Sequence, residues 1–219
     1  MNLNTRIVKK APSCTLCSND TQFFAQIQDR LYFKCTHCHS VILHPDNYLD
    51  SQQEKARYLE HNNDVNDPGY QQFVFPLVNA VIQHHKADEK GLDYGSGTGP
   101  VITKLLTDKG YQVATYDPFF NPEKSMLSQQ YDYIICCEVI EHFQKPVEEF
   151  NGLRKILKPG GILYCMTYLF SEEINFKTWN YKDDKTHVII YHPQAIKLIT
   201  EKFGFKDYSI NKRLITFYG

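Results

Sequence analysis

Four cysteines near the start of the chain stand at metal-binding spacing. Cys14-x2-Cys17 and Cys35-x2-Cys38 are separated by seventeen residues. Each Cys-x2-Cys knuckle presents two thiolates, and two knuckles complete a tetrahedron around Zn²⁺. This is the spacing of a zinc ribbon. Four sulfurs close the coordination shell, so the expected zinc is structural and not catalytic. His37 and His39 flank the second knuckle as surplus donors. A unit of about 45 residues with so few apolar side chains needs such a staple to fold. The remaining cysteines of the seven, Cys136, Cys137 and Cys165, fall in apolar runs and read as small buried hydrophobes on strands.

A second constellation is the run Asp93-Tyr94-Gly95-Ser96-Gly97-Thr98-Gly99, which follows a strand pattern and opens a helix. Its glycines let backbone approach a ligand at the carboxyl end of a first strand, where doubly wound sheets bind. A dinucleotide fingerprint would need its third glycine at position 100, which is Pro100. The loop contains no Lys or Arg, which suits a ligand without phosphates. The acidic residue followed by G-x-G-x-G resembles the first motif of class I S-adenosylmethionine-dependent methyltransferases. Three further matches follow in that family's order: Tyr116-Asp117-Pro118 at the end of a second strand, Tyr131 to Cys137 followed by Glu138-Val139-Ile140-Glu141-His142-Phe143, and the turn Leu157-Lys158-Pro159-Gly160-Gly161. The resemblance spans roughly residues 70–219. It implies S-adenosylmethionine bound by Asp93, Gly95, Ser96, Gly97, Gly99, Asp117, Pro118, Cys137 and Glu138, with Asp117 accepting both ribose hydroxyls.

The ribbon joined to such a domain is similar to bacterial methyltransferases of sugars and other small metabolites. The run Cys137-Glu138-x-x-Glu141-His142 is similar to ubiquinone-pathway O-methyltransferases. One departure stands out. Only 13 residues separate Asp117 from Tyr131, where the family fits a helix and a third strand, so a shortened sheet edge is expected. Phe119 and Phe120 then offer an apolar surface for adenine, or pack into the core.

Methyl transfer to a hydroxyl requires alignment and removal of a proton. Glu138, Glu141 and His142 share one face if a helix begins after the strand. They could then hold a divalent cation, as the ubiquinone-pathway resemblance implies; alternatively, Glu138 borders the cofactor while Glu141 and His142 fix the helix. His142 is a candidate base. His187 is its rival, near Asp183 and Asp184 in the aromatic stretch Tyr168 to Tyr191 that also holds Phe170, Phe176, Trp179 and Tyr181. His61-Asn62-Asn63 is a candidate flap over the site, or an ordinary loop.

These groups need elements to position them. Short strands and turns fill residues 1–45, with Gln22–Ile27 and Leu31–Lys34 as a hairpin and Ser40–Leu43 following. Residues 46–90 read as a helical lead-in, with one helix from Ser51 and another over Tyr70–His84 that contains Pro76. Strand and helix signals alternate through residues 91–219 and end in two strands, Phe205–Ile210 and Arg213–Tyr218. The expected fold is α/β: a doubly wound, mostly parallel Rossmann-like methyltransferase sheet with a shortened third-strand region, plus a small N-terminal zinc ribbon.

The chain has 219 residues, of which 42% are hydrophobic, with 24 Lys plus Arg against 25 Asp plus Glu. That apolar content excludes a disordered chain, and the near-zero charge gives no basic footprint for nucleic acid. The longest apolar run, Ile162 to Phe170, is too short to span a bilayer. The opening MNLNTRIVKK lacks a secretory h-region, so a soluble cytoplasmic protein is expected. The expected activity is methyl transfer from S-adenosylmethionine to a small-molecule acceptor, most simply a hydroxyl oxygen. The rival readings are an RNA methyltransferase that grips a stem with its ribbon, and a non-catalytic cofactor-binding partner protein.

Overall fold

The computed structural model describes residues 10–60 and 63–219. His61 and Asn62 of the expected flap, and most of the opening segment, lie outside them. Two sheets organise the chain. The larger has six strands in the order β5-β4-β6-β7-β10-β9. These are β4 (Lys90–Tyr94), β5 (Gln112–Tyr116), β6 (Tyr131–Cys137), β7 (Leu157–Met166), β9 (Asp207–Asn211) and β10 (Leu214–Tyr218). β5, β4, β6 and β7 run parallel, whereas β10 pairs antiparallel with both β7 and β9. The expected shortening is present. Between β5 and β6 the chain makes only an Asp117–Asn121 bridge and a 3-10 turn over Lys124–Ser128, which leaves β5 at the sheet edge.

Alternation along the strands explains the two covered faces. Tyr133 and Ile135 of β6, with Tyr164 and Met166 of β7, pack beneath α2 (Pro68–His84) and α3 (Val101–Thr107). Ile134, Cys136, Leu163 and Cys165 point the other way, towards α4 (Pro146–Ile156) and α5 (Pro193–Phe203). Cys136 and Cys165 are fully buried, as strand hydrophobes should be. Side chains such as Phe150 and Ile199, with no exposed surface, each contribute ~1.5–3 kcal/mol by leaving water.

The smaller sheet, in the order β1-β2-β3-β8, carries the cysteine knuckles. β1 (Thr21–Ile27), β2 (Arg30–Cys35) and β3 (Val41–Leu43) are the expected hairpin and its extension. The fourth strand, β8 (Ile189–Ile190), comes from far outside residues 1–45 and pairs Ile42 with Ile189 and Val41 with Ile190. Further ties cross the same seam. Lys202 Nζ donates to the Leu16 carbonyl at 2.8 Å, and Arg30 Nη1 donates to the Lys182 carbonyl at 2.8 Å. The ribbon and the α4–α5 face of the large sheet therefore share one apolar core.

α1 (Ser51–Leu59) begins in a capping box: the Asp50 carboxylate accepts from Gln52 and Gln53 N–H, and the Gln53 side chain accepts from Asp50 N–H. This helix buries none of its residues. Its Ser51, Glu54, Arg57 and Tyr58 line a cavity. Among the described residues, no helix is long and apolar enough to cross a membrane.

Candidate active site

A cavity of about 910 Å³ opens at the carboxyl ends of β4, β5 and β6, the position at which a doubly wound sheet presents its ligand crevice. Its floor is the glycine loop after β4. Gly97 has φ +65° and donates its N–H to Asp117 Oδ2 at 2.9 Å. Gly99 has no room for a side chain, because a Cβ there would lie 1.8 Å from the Asn63 carbonyl oxygen. The other oxygen of Asp117 accepts from Phe119 and Phe120 N–H, at 2.8 and 3.0 Å. The carboxylate is thus fixed by three backbone donors and keeps lone pairs for further hydrogen bonds. Phe119 and Phe120 line the cavity, where the ring of Tyr58 from α1 approaches Phe119 at 5.5 Å.

Gly95, Ser96, Gly97, Asp117, Pro118, Cys137 and Glu138 all line the cavity. Asp93 and Gly99, grouped with them by sequence, do not. Asp93 is 3% exposed and accepts from Thr103 Oγ1 at 2.8 Å, so it anchors the loop to α3 from behind. Burial pushes its carboxyl up to about 6.

The opposite wall brings together the two histidines that sequence reasoning treated as rivals. His142 Nδ1 lies 3.1 Å from the Thr186 carbonyl oxygen, and His187 Nδ1 lies 2.8 Å from the Tyr181 carbonyl oxygen. A carbonyl only accepts, so each Nδ1 carries the proton and each Nε2 keeps a lone pair. Glu141 completes the group. It is fully buried, with Oε1 accepting from Tyr181 Oη at 2.5 Å and Oε2 without a hydrogen-bond partner. One ligand atom from each of Glu141, His142 and His187 lies within 4.8 Å of the others. Burial and the neighbouring His142 push His187 down to about 4, so its imidazole is neutral near pH 7. That makes it a poor free base and a suitable ligand.

Two expectations need correction here. The face grouping Glu138, Glu141 and His142 does not form, because no α-helix begins at Glu138. Glu138 takes φ +51° and only a 3-10 turn over Ile140–His142 follows, so Glu138 turns towards Arg213, whose Nη2 lies 4.0 Å away. Burial and Glu141 push the Glu138 carboxyl up to about 8, against the pull of Arg213. Nor is His187 oriented by acids as expected: Asp184 accepts instead from Thr186 Oγ1 and from Arg57 Nη2 of α1. Sequence reasoning also passed over Thr167, Arg57 and Arg213. Thr167 Oγ1 bonds the Tyr181 hydroxyl at 2.7 Å, and a threonine closing an apolar strand was the available signal.

In the ribbon, Cys14 Sγ and Cys38 Sγ are 3.6 Å apart and Cys17 Sγ and Cys35 Sγ are 3.4 Å apart. All four sulfurs lie within 4.8 Å of one another. Sulfurs ~2.3 Å from a central Zn²⁺ would stand ~3.8 Å apart in a tetrahedron, so the set fits the ion. Backbone N–H groups of His37 and Cys38 point at Cys35 Sγ, each at 3.4 Å, as donors to a thiolate would.

Comparison with known proteins follows the same lines. The family described as "Methyltransferase domain" matches residues 67–210. A "Ubiquinone biosynthesis O-methyltransferase" of Histophilus somni is 30% identical over 69 residues, covering 32% of this chain and 27% of that protein. A mitochondrial protein of the same description from Dictyostelium discoideum is 39% identical over 57 residues, covering 26% of this chain and 17% of its own length. The matches span well under half of these curated relatives. A solved S-adenosylmethionine-dependent methyltransferase from Archaeoglobus fulgidus shares the fold, with a TM-score of 0.51 and 21% identity over 64% of this chain and 71% of that one.

Proposed function

The chain belongs to the class I S-adenosylmethionine-dependent methyltransferases, and from that premise we propose that it methylates a hydroxyl oxygen of a small-molecule acceptor. The observation that carries this reading is the cluster of Glu141, His142 and His187, one ligand atom of each within 4.8 Å of the others, with both histidines lining the same cavity as the glycine loop. The O-methyltransferase relatives support the same acceptor atom.

In this reading Asp117 accepts the ribose hydroxyls with the lone pairs its backbone donors leave, and Phe119 and Phe120 face the adenine. Gly95–Gly97 let backbone pass close to the cofactor's amino-acid end. Glu141, His142 and His187 are suited to hold a divalent cation; when bound, such an ion lowers the pKa of an acceptor hydroxyl so that it ionises near neutral pH. Tyr181 and Thr167 fix the carboxylate of Glu141, and the two backbone carbonyls fix both imidazole tautomers. Arg57, bound to Asp184, ties α1 down over the cofactor end. In the ribbon, Cys14, Cys17, Cys35 and Cys38 hold a structural zinc.

The test is to supply S-adenosylmethionine with matched hydroxyl, amine and carbon acceptors, and to locate the new methyl group by NMR. Methyl ethers from the hydroxyl set, with turnover abolished by a chelator that leaves the ribbon zinc in place, are expected. Methylation confined to nitrogen or carbon would overturn the proposal. Turnover of hydroxyls that ignores chelation would remove the cation alone.

A further inference from the structure

A second hollow, of about 560 Å³, opens between α2 and the β9–β10 hairpin. Its polar wall consists of Asn79, Gln83, Asn211, Lys212 and Arg213, and none of the described residues lining it is acidic. Two cations and three amides therefore line it, and the carboxylate that approaches Arg213, that of Glu138, lines the neighbouring cavity instead.

Arg213 is held in one pose. Its guanidinium carbon lies 4.1 Å from the ring centre of Phe73 and 4.6 Å from that of Tyr168. Two rings thus pack against the guanidinium, while its N–H edge can still serve as a binding surface. The carboxylate of Glu138 stands 4.0 Å from Nη2, too far for a hydrogen bond, so that contact leaves the planar donor fork with capacity to spare. Such a fork matches the paired oxygens of a carboxylate or phosphate.

The hollow adjoins the methyl-transfer site. Phe73 lines both cavities, and the Tyr168 ring lies 5.0 Å from that of Tyr181, whose hydroxyl binds Glu141. A shelf of rings thus runs from Arg213 to the wall of His142 and His187. We infer that the acceptor is an anionic molecule whose carboxylate or phosphate group docks on Arg213, with Lys212 beside it, while its apolar body lies on Phe73 and Tyr168 and its hydroxyl reaches that wall. The inference rests on the hydroxyl-acceptor reading and narrows it to acidic acceptors.

Calorimetry on the full chain loaded with S-adenosylhomocysteine tests it with four probes: phenol, benzoate, phenyl phosphate and inorganic phosphate. Benzoate or phenyl phosphate should bind about tenfold or more tightly than phenol, with a preference that weakens as salt rises. Arg213→Met should abolish that preference and Arg213→Lys should keep part of it. If Arg213→Met does not fold, Lys212→Met should still lower affinity for the anionic probes severalfold. Equal binding of phenol and the anions, or a preference that survives these substitutions, overturns the inference. Inorganic phosphate binding as tightly as phenyl phosphate overturns it too, since the site would then hold a free anion. Failure of the underlying reading looks different: an anionic amine methylated on nitrogen would remove the hydroxyl acceptor and leave the Arg213 site standing.

Discussion

The rings of His142 and His187 meet edge to face with their centroids 4.9 Å apart, although one follows β6 and the other precedes β8. Their approach sets the two alternative bases side by side, and the carboxylate grouped with them is that of Glu141 and not of Glu138.

The first expectation concerns that wall. Titration of the S-adenosylhomocysteine-loaded chain with Mn²⁺, followed by electron paramagnetic resonance, should reveal one site. His187→Ala and Glu141→Gln should each weaken it by about tenfold or more, or ~1.4 kcal/mol and upward. Glu138→Gln should change it by no more than about twofold. The reverse ranking would restore the face grouping Glu138, Glu141 and His142.

Cofactor affinity should depend on Asp117. Replacement by Ala removes the acceptor proposed for the ribose and also frees three backbone N–H groups. A charge-assisted hydrogen bond contributes ~1.5–3 kcal/mol, so calorimetry should show S-adenosylmethionine affinity falling about tenfold or more. Asp117→Asn keeps an acceptor oxygen and should retain part of that affinity. Affinity unchanged in both variants would detach Asp117 from the ribose.

Asp93 should make stability depend on pH in a defined window. Its folded-state value of about 6 exceeds the ordinary ~3.9. Between these values the folded chain holds a proton that the unfolded chain has released, so this residue's contribution to stability falls as pH rises and is level above about 6. Asp93→Asn removes that contribution. Relative to the parent chain, the variant should therefore gain roughly 2–3 kcal/mol between pH 4 and pH 7 in urea denaturation. A constant difference across that range would show that the buried carboxyl pays no charge penalty.

The ribbon should yield about one equivalent of zinc by elemental analysis. Cys35→Ser should lose the ion, and the effect should travel. β8 begins two residues after His187 and pairs with β3, so Mn²⁺ affinity at the histidine wall should fall severalfold in this variant. Full Mn²⁺ affinity in a zinc-free chain would show that the two sites are independent.

Most of the large sheet was legible because each strand carries its own pattern and stop signal. The loss of a third strand could be read from the short Asp117–Tyr131 interval alone. β8 was not legible: two isoleucines form no alternation, and what makes them a strand is the free edge of β3, far away in sequence. The histidine wall failed for a related reason. Periodicity after β6 suggests a helix, yet the left-handed turn at Glu138 sends that side chain to Arg213, and His187 arrives only through the fold of residues 168–191. Local spacing reports local neighbours; here the partners are supplied by the return of a later loop.

The pairing of β3 with β8 also dictates an order of assembly. During synthesis the cysteine knuckles and the first three ribbon strands emerge early, but the outer edge of β3 stays open until Ile189 and Ile190 follow. Contacts so distant in sequence are slow to close, and unpaired strand edges are sticky while they wait. A ribbon excised at residue 45 would carry that bare edge permanently. Grafted onto another protein, it would behave as an adhesive fragment and not as a self-contained module.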